Sequence, residues 1–209
     1  MKLKWNGHSC FSMTFASGVT LVTDPYDDTT GYPMKTVPAD IATLSHHHFD
    51  HDFVGMLSGD PTVIDTDGAR EVKGVKITGT PSWHDDAEGA KRGPNMLYRI
   101  EADGLVIVHL GDLGHMPNEA QLKAISGADL MLIPIGGFFT IDTKQAAEVI
   151  RMAKPRCAAA MHFANQWCKF PIQDETEFVR LTGAEYVGNE IEVTADGALP
   201  GAIVMKYEA

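Results

Sequence analysis

Residues 45–52 read Ser45-His46-His47-His48-Phe49-Asp50-His51-Asp52, an H-x-H-x-D-H motif directly behind the apolar run Ile41-Ala42-Thr43-Leu44. Imidazole nitrogens and carboxylate oxygens are the donors that Zn²⁺ and similar borderline divalent metals take. If the apolar run is a strand and the chain stays extended, alternate residues share a face, so His46 and His48 converge on one ion while His47 turns away. A turn or helix starting there carries Asp50 and His51 to a neighbouring position suited to a second ion. A solvated His-rich loop would have the same local composition, but further donors stand behind other apolar stretches. His84 follows Ile77–Trp83, Asp112 follows Leu105–Gly111 and His162 follows Cys157–Met161. Functional residues gather where strands end along one edge of a sheet.

The rest of the chain supplies such strands. Residues 1–24 read as a meander, KLKW, CFSMTF and VTLVT, broken by the turn signals Asn6-Gly7 and Ser17-Gly18. Residues 26–38 lose periodicity and make a loop long enough for a lid or pocket wall. Strands are expected at 61–65 and 72–80, then a polar loop from Asp85 to Pro94, then a hairpin turning at Ala102-Asp103-Gly104. The second half alternates strand and helix. Asn118 caps a helix through Ile125, DLMLIPI is a buried strand, and Asp142 opens a helix with apolar face Ala146, Val149, Ile150 and Ala153, stopped by Pro155. CAAAMHF, a helix over Glu175–Leu181, and strands at 191–194 and 203–207 complete the pattern. A meander followed by strand–helix units is an α/β layered sandwich, expected to form one domain over residues 1–209.

Composition excludes several classes. Seventeen Lys+Arg against 28 Asp+Glu leave a net charge of -11, so no nucleic-acid partner is expected. Cys10, Cys157 and Cys168 form no CxxC pair and suit a reducing cytoplasm, where they serve as packing residues. The N-terminus lacks the apolar stretch of a signal peptide and no run is long enough to span a bilayer, so the expected location is the cytosol, with no membrane partner. Neither a G-x-G-x-x-G nor a P-loop is present for a nucleotide cofactor.

The ordered set H-x-H-x-D-H (46–51), His84, Asp112 and His162 resembles the metal motifs of the metallo-β-lactamase superfamily over most of the chain. Gly7-His8-Ser9-Cys10-Phe11, Gly111-Asp112-Leu113-Gly114-His115 and Pro134-Ile135-Gly136-Gly137 are similar to the short bacterial metal-dependent hydrolases related to ascorbate-6-phosphate lactonase. The resemblance implies a four-layer αββα sandwich with the metals in a cleft at one sheet edge. It assigns His46, His48 and His84 to one metal, Asp50, His51 and His162 to a second, and Asp112 to a bridge between them. It also implies two divalent ions, Zn²⁺ first, with Mn²⁺ or Fe²⁺ as alternatives. Relatives that open β-lactams commonly carry Cys at the Asp112 position, and oxygen-reducing diiron relatives carry Glu where this chain has His48, so neither activity is expected.

Two ions a few Å apart lower the pKa of a shared water from near 16 to about 7 and polarise a scissile carbonyl or phosphoryl group, so hydrolysis by a bridging hydroxide is the expected output. Asp50 is expected either as a ligand alone or as a ligand that also orients the nucleophile or passes its proton to the leaving group. The expected substrate is a small ester or lactone, phosphorylated or not. A metal-dependent phosphodiesterase is the alternative from the same site, and a metal-binding or sensing protein without turnover is the alternative from another class. Among supporting residues, Asp24 is expected to fix a histidine tautomer, His8 to line the cleft, and Asp85, Lys91, Arg92 and Asn95 to meet an anionic substrate. His109 should face away or support the core, and His115 should lie at the rim. Specificity should reside in loops 26–38 and 85–95, around Phe138–Phe139 and at Trp167. No heptad or edge device decides an oligomeric state.

Overall fold

The computed structural model describes residues 1–33 and 35–208. Its first strands, β1 (Lys2–Gly7), β2 (Cys10–Thr14) and β3 (Thr20–Thr23), form an antiparallel meander. In β1 the exposed Lys2 and Lys4 alternate with the buried Leu3 and Trp5, the period-two pattern of a strand with one face inward. Where β1 turns into β2, Gly7 and His8 both take positive φ, 102° and 51°. Glycine is required at position 7 by space as well, since a Cβ would lie 2.7 Å from the Tyr32 ring. Then come β4 (Val37–Pro38), β5 (Ile41–Thr43), β6 (Leu57–Ser58) and β7 (Thr62–Ile64), with β5 parallel to both β3 and β7.

The next segment is antiparallel: β8 (Gly68–Val72), β9 (Val75–Trp83), β10 (Pro94–Ala102) and β11 (Leu105–His109). Strand–helix units follow: α1 (Glu119–Ile125), β12 (Leu130–Pro134), α2 (Thr143–Ala153), β13 (Cys157–Met161), α3 (Thr176–Thr182), β14 (Glu185–Val187), β15 (Glu190–Glu192) and β16 (Ala202–Met205). Every residue of β12 and β13 is buried, as parallel strands covered on both faces must be.

The two sheets run β15-β1-β2-β3-β5-β7 and β14-β16-β13-β12-β11-β10-β9-β8. They share one continuous apolar core, and β15 returns to pair with β1 at Leu3↔Ile191, closing the end of the chain onto its start. Helices α1 and α2 pack on the second sheet, giving an α/β sandwich. Beside Lys2, Lys4, Ser12 and Thr14 of the first sheet lies a cavity also bordered by residues 35–38, which include β4, and by Met56 and Tyr207.

The strand expected over 72–80 is β9, which starts at Val75 and runs on to Trp83; a turn at Lys73 and Gly74, both of positive φ (50° and 81°), joins it to β8, a strand not expected. Strand β14, not expected, has two exposed residues of three and carries no alternation to read. The three cysteines are free and buried, and among the described residues no helix is long and apolar enough to cross a membrane.

Helix α1 starts at a capping box in which the Asn118 side chain accepts from the Gln121 amide at 3.0 Å and Gln121 Oε1 accepts from the Asn118 amide at 3.0 Å. Asn118→Ala should lower the free energy of unfolding by about 1 kcal/mol. The change should be read as a lower urea midpoint at unchanged slope, with unaltered metal content.

Candidate metal centre

The histidine motif is not extended. Strand β5 stops at Thr43, and the chain bends from Ser45 onward. His46 and His48 still converge, with ring centroids 4.6 Å apart, while the exposed His47 lies 3.3 Å from Asp52 and 3.7 Å from Asp65. The bend tightens into a turn in which the amides of His51 and Asp52 both donate to the His48 carbonyl, at 2.8 and 3.1 Å. That turn brings Asp50 and His51 back over the sheet edge. From the second sheet, β9 delivers His84, β11 leads through Gly111 to Asp112, and β13 leads to His162, whose φ is 52°.

These residues meet in three overlapping groups, each with its ligand atoms within 4.8 Å of one another: His46, His48 and His84; His46, His51 and Asp112; and His8, Asp50, His51 and His162. Asp112 is the hub. Its Oδ1 lies 3.3 Å from His51 Nε2, and its Oδ2 lies 3.3 Å from His84 Nε2 and 3.0 Å from His162 Nε2. His46 Nε2, His51 Nε2 and Asp112 Oδ1 are buried and make no hydrogen bond. An unpaired buried polar atom costs about 1–3 kcal/mol, so three converging ones mark a place built for a cation. The donor set, imidazoles with carboxylates, fits divalent ions of the Zn²⁺ type.

Electrostatics agrees. Burial pushes the Asp112 carboxyl upward, but His162, His51 and His84 outweigh it and hold the group well below the usual carboxylate range. Burial pushes His51 downward, yet Asp112 and Asp50 outweigh that and raise it well above the ordinary histidine value. His46 and His84 are lowered, in both cases chiefly by burial, and so are neutral near pH 7. Without a cation the cluster therefore keeps a proton on His51, which an incoming metal must displace.

The surrounding residues hold the donors in place. Asp24 Oδ2 accepts from His51 Nδ1 at 2.8 Å and from Ser45 Oγ at 2.6 Å, and its Oδ1 accepts the Ser45 amide at 2.8 Å. This leaves His51 Nε2 directed into the cluster. Ser45 Oγ also lies 3.0 Å from His46 Nδ1. Ser45 is a functional residue that sequence reading missed, because a serine beside a metal motif carries no spacing signal. His109 supports the core: its Nε2 donates to the Ser9 carbonyl at 2.9 Å and its Nδ1 accepts the Gly111 amide at 3.1 Å. His8 is buried inside the cluster, with Nε2 3.2 Å from Asp50 Oδ2 and its ring 4.3 Å from that of His162. Burial first, then His162, lowers its pKa to about 4, so His8 is neutral and can donate its Nε2 proton to Asp50.

Two expectations for the 85–95 loop are corrected. Asn95 does not face a substrate. Its Oδ1 accepts the Asp112 amide at 2.8 Å, while its Nδ2 donates to the Leu110 carbonyl and to Ser82 Oγ. Asp85 uses both oxygens on the backbone amides of Ala87, Gly89, Lys91 and Arg92, which outweigh burial and leave the carboxyl at about 2. It shapes the loop that presents Arg92. His115 accepts the Trp83 amide at 3.2 Å and borders a separate shallow groove with Asp85 and Asp86.

Above the cluster lies a cavity of about 310 Å³ lined by His48, Phe49, Asp50, His84, Arg92, Asp112, Phe139, His162 and Phe170. Arg92 and Phe139 come from the expected loops, but Trp167 and the described residues of 26–38 do not line it. Tyr32 instead packs on Trp5 and Tyr26, and Trp167 on Tyr207; Met34 lies outside the described residues. Phe170 takes the place expected for Trp167, and nothing in the local sequence distinguishes the two.

Comparison with known proteins agrees with this architecture. The sequence profile of a beta-lactamase superfamily domain matches residues 2–162. A metal-dependent hydrolase of Thermococcus onnurineus is 31% identical, the match covering 88% of this chain and 92% of that one. One from Thermococcus kodakarensis is 29% identical over 92% of this chain and 100% of its own. A crystal structure from Thermotoga maritima, described as a Zn-dependent hydrolase of the metallo-beta-lactamase superfamily, superposes with a TM-score of 0.82 at 35% identity, covering 98% of this chain and 97% of the other. With relatives of this likeness along nearly its whole length and a His/Asp cluster able to hold metal, the chain belongs to the metallo-β-lactamase superfamily and is a metal-dependent hydrolase.

Proposed function

We propose that the protein holds two divalent cations, Zn²⁺ by its donor set, and hydrolyses a small ester or lactone. The observation that carries this reading is the buried Asp112 carboxylate, which stands between the two donor sets: its Oδ2 lies 3.3 Å from His84 of one set and 3.0 Å from His162 of the other, and its Oδ1 lies 3.3 Å from His51 of the second set. His46, His48 and His84 would hold one ion, Asp50, His51 and His162 the other, with Asp112 touching both. Bound there, the ions would lower the pKa of a water to about 7 and polarise a substrate carbonyl.

The chain's own residues supply the rest. Asp50 borders the cavity and its Oδ2 is held by His8 Nε2, so the carboxylate is fixed where it can orient a nucleophile and hand a proton to a leaving group. Asp24 and Ser45 keep His51 and His46 in fixed orientation through the bonds described above. Among the described residues, Arg92 is the one Lys or Arg side chain lining the cavity.

Replacing the hub by its neutral isostere, Asp112→Asn, should reduce bound zinc below two ions per chain and lower kcat/KM for lactones by about 100-fold or more. Elemental analysis and proton-release assays read the two effects; unchanged zinc content and turnover would mean that Asp112 does not bridge. Metal binding should also be proton-linked. Because His51 is raised, apparent affinity should climb as pH rises towards its elevated pKa, and binding at pH 7 should release about one proton from His51. Titration calorimetry in buffers of different ionisation enthalpy counts that proton, and an enthalpy independent of buffer would contradict the His51 assignment.

A further inference from the structure

The cavity over the cluster is walled in a way that hydrolysis alone does not demand. Its floor is the His/Asp set, but its sides are Phe49, Phe139 and Phe170, with Arg92 as the sole other side chain. The rings form a continuous arc. Phe49 meets Phe170 edge-on at 6.4 Å and Phe170 meets Phe139 at 6.3 Å. Arg92 lies against the end of the arc, its guanidinium carbon 5.5 Å from the Phe139 centroid and its Nη2 donating to the Phe138 carbonyl at 2.9 Å. Its backbone is pinned by the bond from the Arg92 amide to Asp85 at 2.7 Å.

Among the described residues, no serine, threonine, asparagine, glutamine or lysine lines the cavity. A polyhydroxylated substrate entering it would give up water and meet ring faces, leaving its hydroxyls unpaired. A flat aromatic group would instead find the edge-and-face surroundings that rings favour. The volume of about 310 Å³, at the small end of ligand pockets, suits one ring and the reacting carbonyl together.

We propose that the cavity selects esters or lactones bearing one aryl arm, seated in the Phe49–Phe170–Phe139 arc, with at most one anionic group directed to Arg92, and that it rejects sugar lactones and their phosphates. This builds on the hydrolytic reading above and specifies its substrate class.

The test uses the zinc-loaded full chain in two independent assays. Calorimetric binding compares phenylacetate with gluconate, and proton release compares 3,4-dihydrocoumarin with glucono-1,5-lactone. Phenylacetate is expected to bind at least about tenfold more tightly than gluconate, and dihydrocoumarin to be turned over with a similarly higher kcat/KM. Phe139→Ala and Phe170→Ala should each raise KM for dihydrocoumarin by roughly tenfold with little change in kcat, and should shrink the binding preference at unchanged zinc content. Phe139→Leu, which refills most of the space without a ring, should fall between the parent and the alanine variant, guarding against a fold defect. Gluconate binding as tightly as phenylacetate, or a preference that survives both alanine variants, would overturn the proposal. If neither lactone is hydrolysed while the phenylacetate preference and its loss in the variants are observed, the hydrolytic reading fails and the aryl selectivity of the cavity stands.

Discussion

A carboxylate kept anionic in a dry place is the constraint on which the rest of this structure turns. Asp112 is 1% exposed and faces three imidazoles. Taking a carboxylate out of water costs several kcal/mol unless partners compensate, so its neighbours must be placed to within tenths of an ångström. Asn95 does this from the adjacent strand, accepting the Asp112 amide while its own amide group is tied to Leu110 and Ser82. Gly111, with φ of 51°, lets the chain pass at close range: a Cβ there would lie 2.3 Å from Asn95 Oδ1 and 2.5 Å from Ser45 Cβ. The fold gives up a side chain at 111 so that strand, loop and histidine turn can converge on 112.

The same requirement explains why both sheets are needed. His84, Asp112 and His162 leave the ends of the second sheet's strands, whereas His8, Asp24 and the 45–51 turn belong to the first. Side chains stitch them across the seam. The Ser45–Asp24–His51 triad orders the first-sheet donors, His109 on β11 donates to the Ser9 carbonyl of the first sheet, and the His162 amide bonds the His8 carbonyl at 3.4 Å. Each of these links buries a polar group with a partner, so the seam is fixed by hydrogen bonds while the unpaired atoms of His46, His51 and Asp112 point into the cluster. Strain is concentrated here too, with positive φ at His8, Asp24 and His162, as is common where function overrides backbone preference.

What sequence made legible follows this division between local and tertiary causes. The donors of the cluster stand at the ends of apolar runs, and the capping boxes at Asn118 and Asp142 are set within four residues, so both can be read along the chain. Asn95 and Asp85 looked like substrate groups because polar residues in a Gly-rich loop always do; only packing shows that their atoms are spent on backbone amides. Phe170 and Trp167 are both aromatic residues in one irregular segment, and which of them reaches the cavity is set by Tyr207 and Phe139, residues distant in sequence. Strand β8 escaped because Gly68–Val72 has no fully buried residue and no apolar alternation to read. His8 was recognisable as a motif residue, yet its contact with Asp50 spans 42 positions and has no local signature.

The division of the cavity into a polar floor and an apolar wall has a consequence for orientation. Asp50, Asp112 and the histidines line only the side that continues into the sheets, and the aromatic arc lines the remainder apart from Arg92. A bound molecule with one polar and one apolar end can satisfy both surfaces in a single pose, because reversal would press its polar end on ring faces and leave the floor unmatched. Contacts with the wall then act on affinity and on the choice of pose, and the groups of the floor act on the chemical step. The wall is also the less constrained part. Phe49 is 52% exposed and Phe139 and Phe170 are half-buried, whereas Asp112, His51 and His162 are buried. Substitution on the wall alters what is accepted while leaving the Asp112 hub intact, so specificity and chemistry rest on physically separable sets of residues.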